Sequence, residues 1–202
     1  MSEPSERITI VSGLPRSGTS VMMQMLVAGG MVALTDGQRV ADEDNPRGYY
    51  ELERAKKIKT DRMWLEEARG KAVKMVHLLL LDLPPGDVSG PEYAIVFMRR
   101  DLDEVVRSQR VMLERSGKSG AALTPERLMD VYRRQIEQVL GFVSKHPRAR
   151  VLEVDYRDVV ADAAGTAARV AAFVGGGLDV GAMAAAVDAG LYRNRGGGTA
   201  RA

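Results

Sequence analysis

Hydrophobic and polar positions follow two different periods along this chain, and the switches between them mark out its elements. Residues 7–12, RITIVS, form a short apolar run rich in β-branched residues, the pattern of a buried strand. A glycine-rich turn follows, and TSVMMQMLVAGG then reads as a helix stopped by Gly29 and Gly30. AVKMVH (72–77), YAIVFM (93–98) and ARVLEV (149–154) repeat the buried-strand pattern. The stretches between them have helical spacing. From Glu51 to about Ala68 the pattern is helical and charged. Residues 101–115 put Leu102, Val105, Val106, Met112 and Leu113 on one helix face. A longer amphipathic helix, from Pro125 to Lys145, carries the stripe Leu128, Tyr132, Ile136, Val139 and Val143, with Thr124 as its N-cap and proline at N1. Alanine-rich helices follow the last strand.

Strands alternating with helices predict an α/β fold, a three-layer sandwich around a central, mainly parallel sheet. No repeat and no linker divides the 202 residues, so one domain is expected, with its core over 6–175 and a flexible tail at 193–202. The segment 35–51, TDGQRVADEDNPRGYYE, is polar and rich in turn residues, and long loops in compact chains are commonly functional. The 29 basic and 27 acidic residues nearly cancel, which predicts no nucleic-acid or membrane-surface partner. Cysteine is absent, excluding disulfides and thiolate zinc sites, and His77 and His146 are too few for a histidine-built metal centre. MSEPSER lacks the apolar run of a leader, and no stretch of 18 apolar residues occurs, so a soluble cytoplasmic protein is expected.

The chemistry concentrates in GLPRSGTS, Gly13 to Ser20. It nearly spells the phosphate loop G-x-x-x-x-G-K-[ST], with Thr19 where that loop has lysine. Backbone amides ending at a helix N-terminus form an anion site, because they converge on the ligand and the helix dipole adds partial positive charge. Gly13 and Gly18 permit the tight path, Pro15 stiffens it, and Ser17, Thr19 and Ser20 supply hydroxyl and amide donors. Arg16 moves the cation inside the loop. A second candidate is the pair Arg99 and Arg100 at a strand end, followed by Ser108: a guanidinium and a hydroxyl suit a phosphate. The plain alternatives are a chance glycine turn, and surface pairing of the arginines with Asp101, Asp103 or Glu104.

The loop resembles the 5′-phosphosulfate loop of the sulfotransferase family, in the P-R-S-G-T-[ST] form of its tyrosylprotein and bacterial members. IVFMRRDLDEVVRSQ resembles that family's 3′-phosphate motif, an arginine at a strand end with a serine eight positions later, which Arg100 and Ser108 satisfy with Arg99 as the alternative. VLEVDYRDVVAD is similar to the family's strand followed by Y-E-D-L, whose tyrosine, here Tyr156, lies near the adenine. The similarity runs from residue 7 to about 175. It implies the P-loop nucleotide-hydrolase-like sulfotransferase fold and the co-substrate 3′-phosphoadenosine 5′-phosphosulfate (PAPS), with no metal. It also implies donor binding by Pro15, Arg16, Ser17, Gly18, Thr19, Ser20, Arg100, Ser108 and Tyr156.

By the same resemblance Arg16 stabilises charge on the leaving 5′-phosphate, where many members have lysine. VKMVHLLLLDLP resembles the family's K-T-H-L-P, which makes His77 a candidate general base, although Lys74 precedes it by three residues and the family spacing is two. Glu51 is the other candidate base, ahead of Asp36, Asp42 and Asp44 in the 35–51 loop. LYRNRGGG, with Arg193 and Arg195, resembles a basic loop that closes over the donor in some relatives. The expected acceptor is a small molecule or an exposed hydroxyl or amine. Two rival readings are a Mg²⁺-dependent P-loop kinase of a small metabolite, which would need lysine at position 19, and a nucleotide-binding protein without a catalytic base.

Overall fold

β1 (Ile8–Gly13), β2 (Ala72–Val76), β3 (Tyr93–Arg99) and β4 (Ala149–Asp155) lie parallel in the order β2-β1-β3-β4 in this computed structural model. The structure describes residues 6–37, 50–86, 90–115 and 123–187. The register sets Val11 beside Lys74 and Val96, and Gly13 beside Val76 and Met98. Met98 in turn faces Val154. The chain passes from β1 to β2 on one side and returns to β3 on the other. The carboxyl ends of β1 and β3 therefore form a topological switch point, where open α/β sheets bind ligands.

Alternation along the strands divides the core into two layers. Ile8, Ile10, Val73, Met75, Tyr93, Ile95 and Phe97 face α3 (Leu102–Arg115), α4 (Pro125–Val143) and the segment 52–83 that contains α2 (Trp64–Glu67). Val11, Ala72, Val96, Met98 and Val154 face the other way. They are covered by α1 (Thr19–Ala28), α5 (Tyr156–Ala161), α6 (Ala163–Val174) and α7 (Val180–Ala185). The expected three-layer sandwich is present, and its described strands are all parallel. Residues 32–34 shield the outer edge of β2, with Ala72 N donating to Val32 O and Leu34 N to Ala72 O, both at 2.8 Å.

Local signals set most boundaries. Thr124 caps α4, its hydroxyl accepting from Arg127 N at 3.4 Å, and Pro125 opens the helix. Of the predicted stripe on α4, Tyr132, Ile136, Val139 and Val143 are buried. The region from Glu51 to Ala68 departs from expectation. It forms a 3₁₀ turn at Glu53–Lys57 and only the single-turn α2. Its helical spacing is real, since Ala55, Ile58, Leu65 and Ala68 are buried, but Thr60 and Asp61 interrupt the ladder. Thr60 Oγ1 donates to the Lys57 carbonyl, and Asp61 Oδ1 accepts from Met63 N. His77, expected as the last residue of β2, instead opens a 3₁₀ segment that runs to Asp82.

Asp42 and Asp44, the tail 193–202 and the basic stretch with Arg193 and Arg195 lie outside the described residues. No described helix is long and apolar enough to cross a membrane.

Candidate functional site

The loop after β1 is built from backbone conformations that ordinary residues avoid. Gly13 has φ 149°, and a Cβ there would lie 2.5 Å from Ser17 Oγ and 2.7 Å from the Met98 carbonyl oxygen. Gly18 has φ 99°, and a Cβ there would run into the ring of Tyr156. Between them Arg16 takes φ 73°, the left-handed region, which costs a non-glycine residue about 1–2 kcal/mol. Strain of that kind persists where a site needs it. Pro15 stands exposed at the tip, and Ser17 N donates to Leu14 O at 3.1 Å to close the turn. Thr19 and Ser20 open α1, whose N-cap Gly18 offers no side-chain hydrogen bond to the first-turn amides. Ser17 Oγ is buried without a hydrogen-bond partner. An anion at the loop would satisfy such groups.

A second set of groups reaches the loop from β3 and α3. Asp101 caps α3, its Oδ1 accepting from Asp103 N at 3.0 Å and Glu104 N at 3.2 Å. Arg100 sits just before this cap, and Glu104 and Ser108 follow at intervals of four residues. Arg16 Nε donates to Ser108 Oγ at 3.0 Å. Arg100 donates from Nη1 to the Arg16 carbonyl at 3.1 Å and from Nε to Glu104 Oε2 at 3.0 Å. Its guanidinium also lies 4.8 Å from the centre of the Tyr156 ring. Tyr156 is held there because Asp155 ends β4 and caps α5, accepting from Arg157 N at 2.8 Å.

Arg16, Gly18, Arg100, Ser108 and Tyr156 thus meet at the carboxyl ends of β1, β3 and β4. Arg99 goes elsewhere: its Nη1 donates to Glu153 Oε2 at 2.6 Å, and both side chains are exposed. Alternation along β3 explains the split. Arg100 continues the Val96–Met98 side, towards α1, and Arg99 continues the Ile95–Phe97 side.

The same parity separates Lys74 from His77. Lys74 extends from the α1 side of β2, and its Nζ donates to Ser20 Oγ at 3.2 Å. His77, three residues on, falls on the α4 side, where its Nε2 pairs with Gln135 Oε1 at 3.0 Å. It is 3 % exposed. Burial draws its pKa below the usual value, and Gln135 and the Gly13 backbone only partly offset this. The imidazole is therefore neutral at neutral pH, as a base must be, but it is packed beside Gly13 beneath the sheet end. Its Nδ1 has no partner of hydrogen-bonding geometry.

Glu51 belongs to a different neighbourhood. Its carbonyl accepts from Thr35 Oγ1 at 2.8 Å and Asp36 N at 3.2 Å, and its carboxylate accepts from Lys56 Nζ at 3.3 Å. Asp36 in turn accepts from Glu53 N at 2.6 Å. These contacts link Glu51 to its own segment.

Two charged groups of the cluster, Glu104 and Arg157, escaped the sequence reading as site residues. The interval of four from Arg100 through Glu104 to Ser108 was the available signal. No group of three or more potential metal ligands occurs among the described residues. A cavity of about 610 Å³ lined by Arg62, Leu83, Phe142, Lys145 and His146 includes none of the loop residues.

Comparison with known proteins bears on this geometry. Residues 90–179 match the model of the sulfotransferase family, a span that includes Arg100, Glu104, Ser108, Tyr156 and Arg157 but not the loop after β1. Among solved structures, the chain is similar to a sulfotransferase domain from the curacin biosynthetic pathway, with 13 % identity, TM-score 0.55, and coverage of 92 % of this chain and 89 % of that one. A sulfotransferase from Mycobacterium tuberculosis matches at 17 % identity and TM-score 0.55, over 88 % and 70 % of the two chains. A retinol dehydratase solved with androsterone and the inactive cofactor PAP matches at 17 % identity and TM-score 0.50, over 92 % and 64 %. No curated protein matches the chain. Over residues 90–179 the family match bears out the sulfotransferase resemblance of the sequence, and the solved structures share the fold.

Proposed function

We propose that this chain, a sulfotransferase by the family its residues 90–179 match and by its fold, moves a sulfuryl group from PAPS to a hydroxyl or amine acceptor. The observation that carries the reading is the meeting of Arg16, Gly18, Arg100, Ser108 and Tyr156, brought from distant parts of the sequence to one sheet end. A chance glycine turn has no reason to recruit them. The retinol dehydratase neighbour, solved with PAP, supports the choice of donor.

The residues present fit that donor. The loop amides, Ser17 and the opening hydroxyls of α1 would hold the 5′-phosphosulfate, with Pro15 shaping the turn. Arg100 and Ser108 would hold the 3′-phosphate, and the Tyr156 ring the adenine. When bound, PAPS supplies an activated sulfuryl group and leaves as adenosine 3′,5′-bisphosphate. Sulfuryl transfer resembles loose phosphoryl transfer, so the protein's task is to position the reactants and neutralise charge. Arg16 is a permanent cation whose fork is set by Ser108, which suits it to stabilise charge and not to donate a proton. Lys74, on Ser20, brings a second cation to the opening of α1.

His77 and Glu51 remain the proposed bases for a hydroxyl acceptor; among the described residues His77 pairs with Gln135 and Glu51 with Lys56. The proposed acceptor is a small molecule or an exposed group, and the proposed setting is cytoplasmic; the near-balance of 29 basic and 27 acidic residues argues against a nucleic-acid or membrane-surface partner. Calorimetric titration separates this reading from a kinase. Adenosine 3′,5′-bisphosphate should bind without a divalent cation and more tightly than Mg·ATP. Tight Mg·ATP binding with no response to the bisphosphate would reject it.

A further inference from the structure

Glu104 is 1 % exposed, and a carboxylate is costly to bury unless its oxygens are fully engaged. Here they are divided between two arginines. Oε2 accepts from Arg100 Nε at 3.0 Å, and Oε1 accepts from Arg157 Nη2 at 3.2 Å. Arg100 is inner, with its side chain 8 % exposed, and is fixed at a second point by the Arg16 carbonyl, 3.1 Å from Nη1. Arg157 is outer, 55 % exposed, and also lies 3.7 Å from Asp101 Oδ2. One turn of α3 beyond Glu104 stands Ser108, itself held by Arg16.

A buried acid beside an anion site subtracts from the positive charge the ligand needs, so its value there is orientation. A guanidinium gripped by Nε keeps its plane fixed and its outer edge aimed in one direction. A phosphate monoester carries about two negative charges near neutrality. Arg100, its charge already shared with Glu104, is a poor match for that alone. The other guanidinium on the same carboxylate comes from the start of α5, next to Tyr156.

We infer that Arg157 is a second ligand of the donor's 3′-phosphate and that Glu104 is the positioning residue that sets both arginines. The inference rests on the sulfotransferase reading above. Its exposed position gives Arg157 room to close on a ligand, and Glu104 sets the distance from which it closes.

Titration of wild type, Arg157→Ala, Arg157→Lys and Glu104→Gln with adenosine 3′,5′-bisphosphate and with 5′-AMP tests this. The two nucleotides differ only in the 3′-phosphate. Arg157→Ala should weaken the bisphosphate roughly tenfold while leaving 5′-AMP within about twofold, and Arg157→Lys should recover part of the loss. Glu104→Gln should show the same selective loss, which general destabilisation would not produce. Because Arg157 is exposed, its variants keep the test decisive even if Glu104→Gln folds poorly. If wild type prefers the bisphosphate and Arg157→Ala leaves that preference intact, or weakens both nucleotides equally, the inference is overturned and the donor reading stands. If wild type binds both nucleotides equally, the donor reading itself falls, and the inference with it.

Discussion

Arg16 offers a test in which stability and function should move apart. Its φ of 73° costs any non-glycine residue about 1–2 kcal/mol. Its side chain also contributes a charged hydrogen bond to Ser108, 3.0 Å long. Arg16→Ala removes the hydrogen bond and keeps the backbone strain, whereas Arg16→Gly removes both. Glycine loses more chain entropy on folding, about 0.5–1 kcal/mol relative to alanine. Subtracting that from the strain leaves the glycine variant more stable than the alanine variant by up to about 1.5 kcal/mol. At an ordinary helical or extended position the order is the reverse, so the sign alone is diagnostic. Urea midpoints at constant slope measure the difference, and calorimetry with adenosine 3′,5′-bisphosphate measures binding on the same samples. Both variants should lose bisphosphate affinity by similar amounts, since both lack the guanidinium. An alanine variant more stable than the glycine variant would refute the left-handed assignment and the strain argument built on it.

If the donor's sulfuryl group lies over Ser20, to which Lys74 Nζ donates, Lys74→Ala should lower kcat for sulfuryl transfer to a phenol by about a hundredfold while leaving bisphosphate affinity nearly unchanged, because the bisphosphate lacks that group. The opposite pattern would move Lys74 away from the transferred group. Arg100→Ala should cost bisphosphate binding roughly 1.5–3 kcal/mol, the range for a charged hydrogen bond, whereas Arg99→Ala should be almost silent because its exposed pair with Glu153 contributes little. Equal losses in calorimetry would show that the strand-parity argument fails at this end of β3. His77 carries a pH prediction. Its folded pKa lies below the ordinary value because burial disfavours the imidazolium. As pH falls below about 6.5 the unfolded chain takes up a proton that the folded chain resists, so stability present above that pH declines towards the folded pKa. His77→Gln should flatten the urea midpoint between about pH 7 and pH 5 relative to wild type, and an unchanged acid slope would contradict the assignment.

Local chemistry carried much of this protein in its sequence. The β-branched runs, the stop at Gly29 and Gly30, the Thr124–Pro125 cap and the stripe on α4 each depend on neighbours within a few residues. The three-layer parallel architecture followed from their order. So did the loop at Gly13–Ser20 and the eight-residue interval from Arg100 to Ser108, since both are short-range patterns. Where the local signal was mixed the reading failed, as between Glu51 and Ala68, where helical spacing was real but Thr60 and Asp61 satisfy backbone groups locally and break the helix.

What tertiary structure decided is which side chains share a face across long separations. A strand repeats every two residues, so an interval of three sends Lys74 to the Gly13–Ser20 loop and His77 beneath the sheet, while adjacent Arg99 and Arg100 part company. Parity is legible in sequence, but which face α1 covers is not, because that depends on how β1, β2 and β3 order themselves in the sheet. Glu104 read as a surface partner for an arginine. It became a buried link between Arg100 and Arg157 only when β4 paired beside β3 and delivered the start of α5 to the same corner. Burial raises the cost of its charge and the strength of its contacts together, and burial is a property of the assembled layers, not of any segment alone.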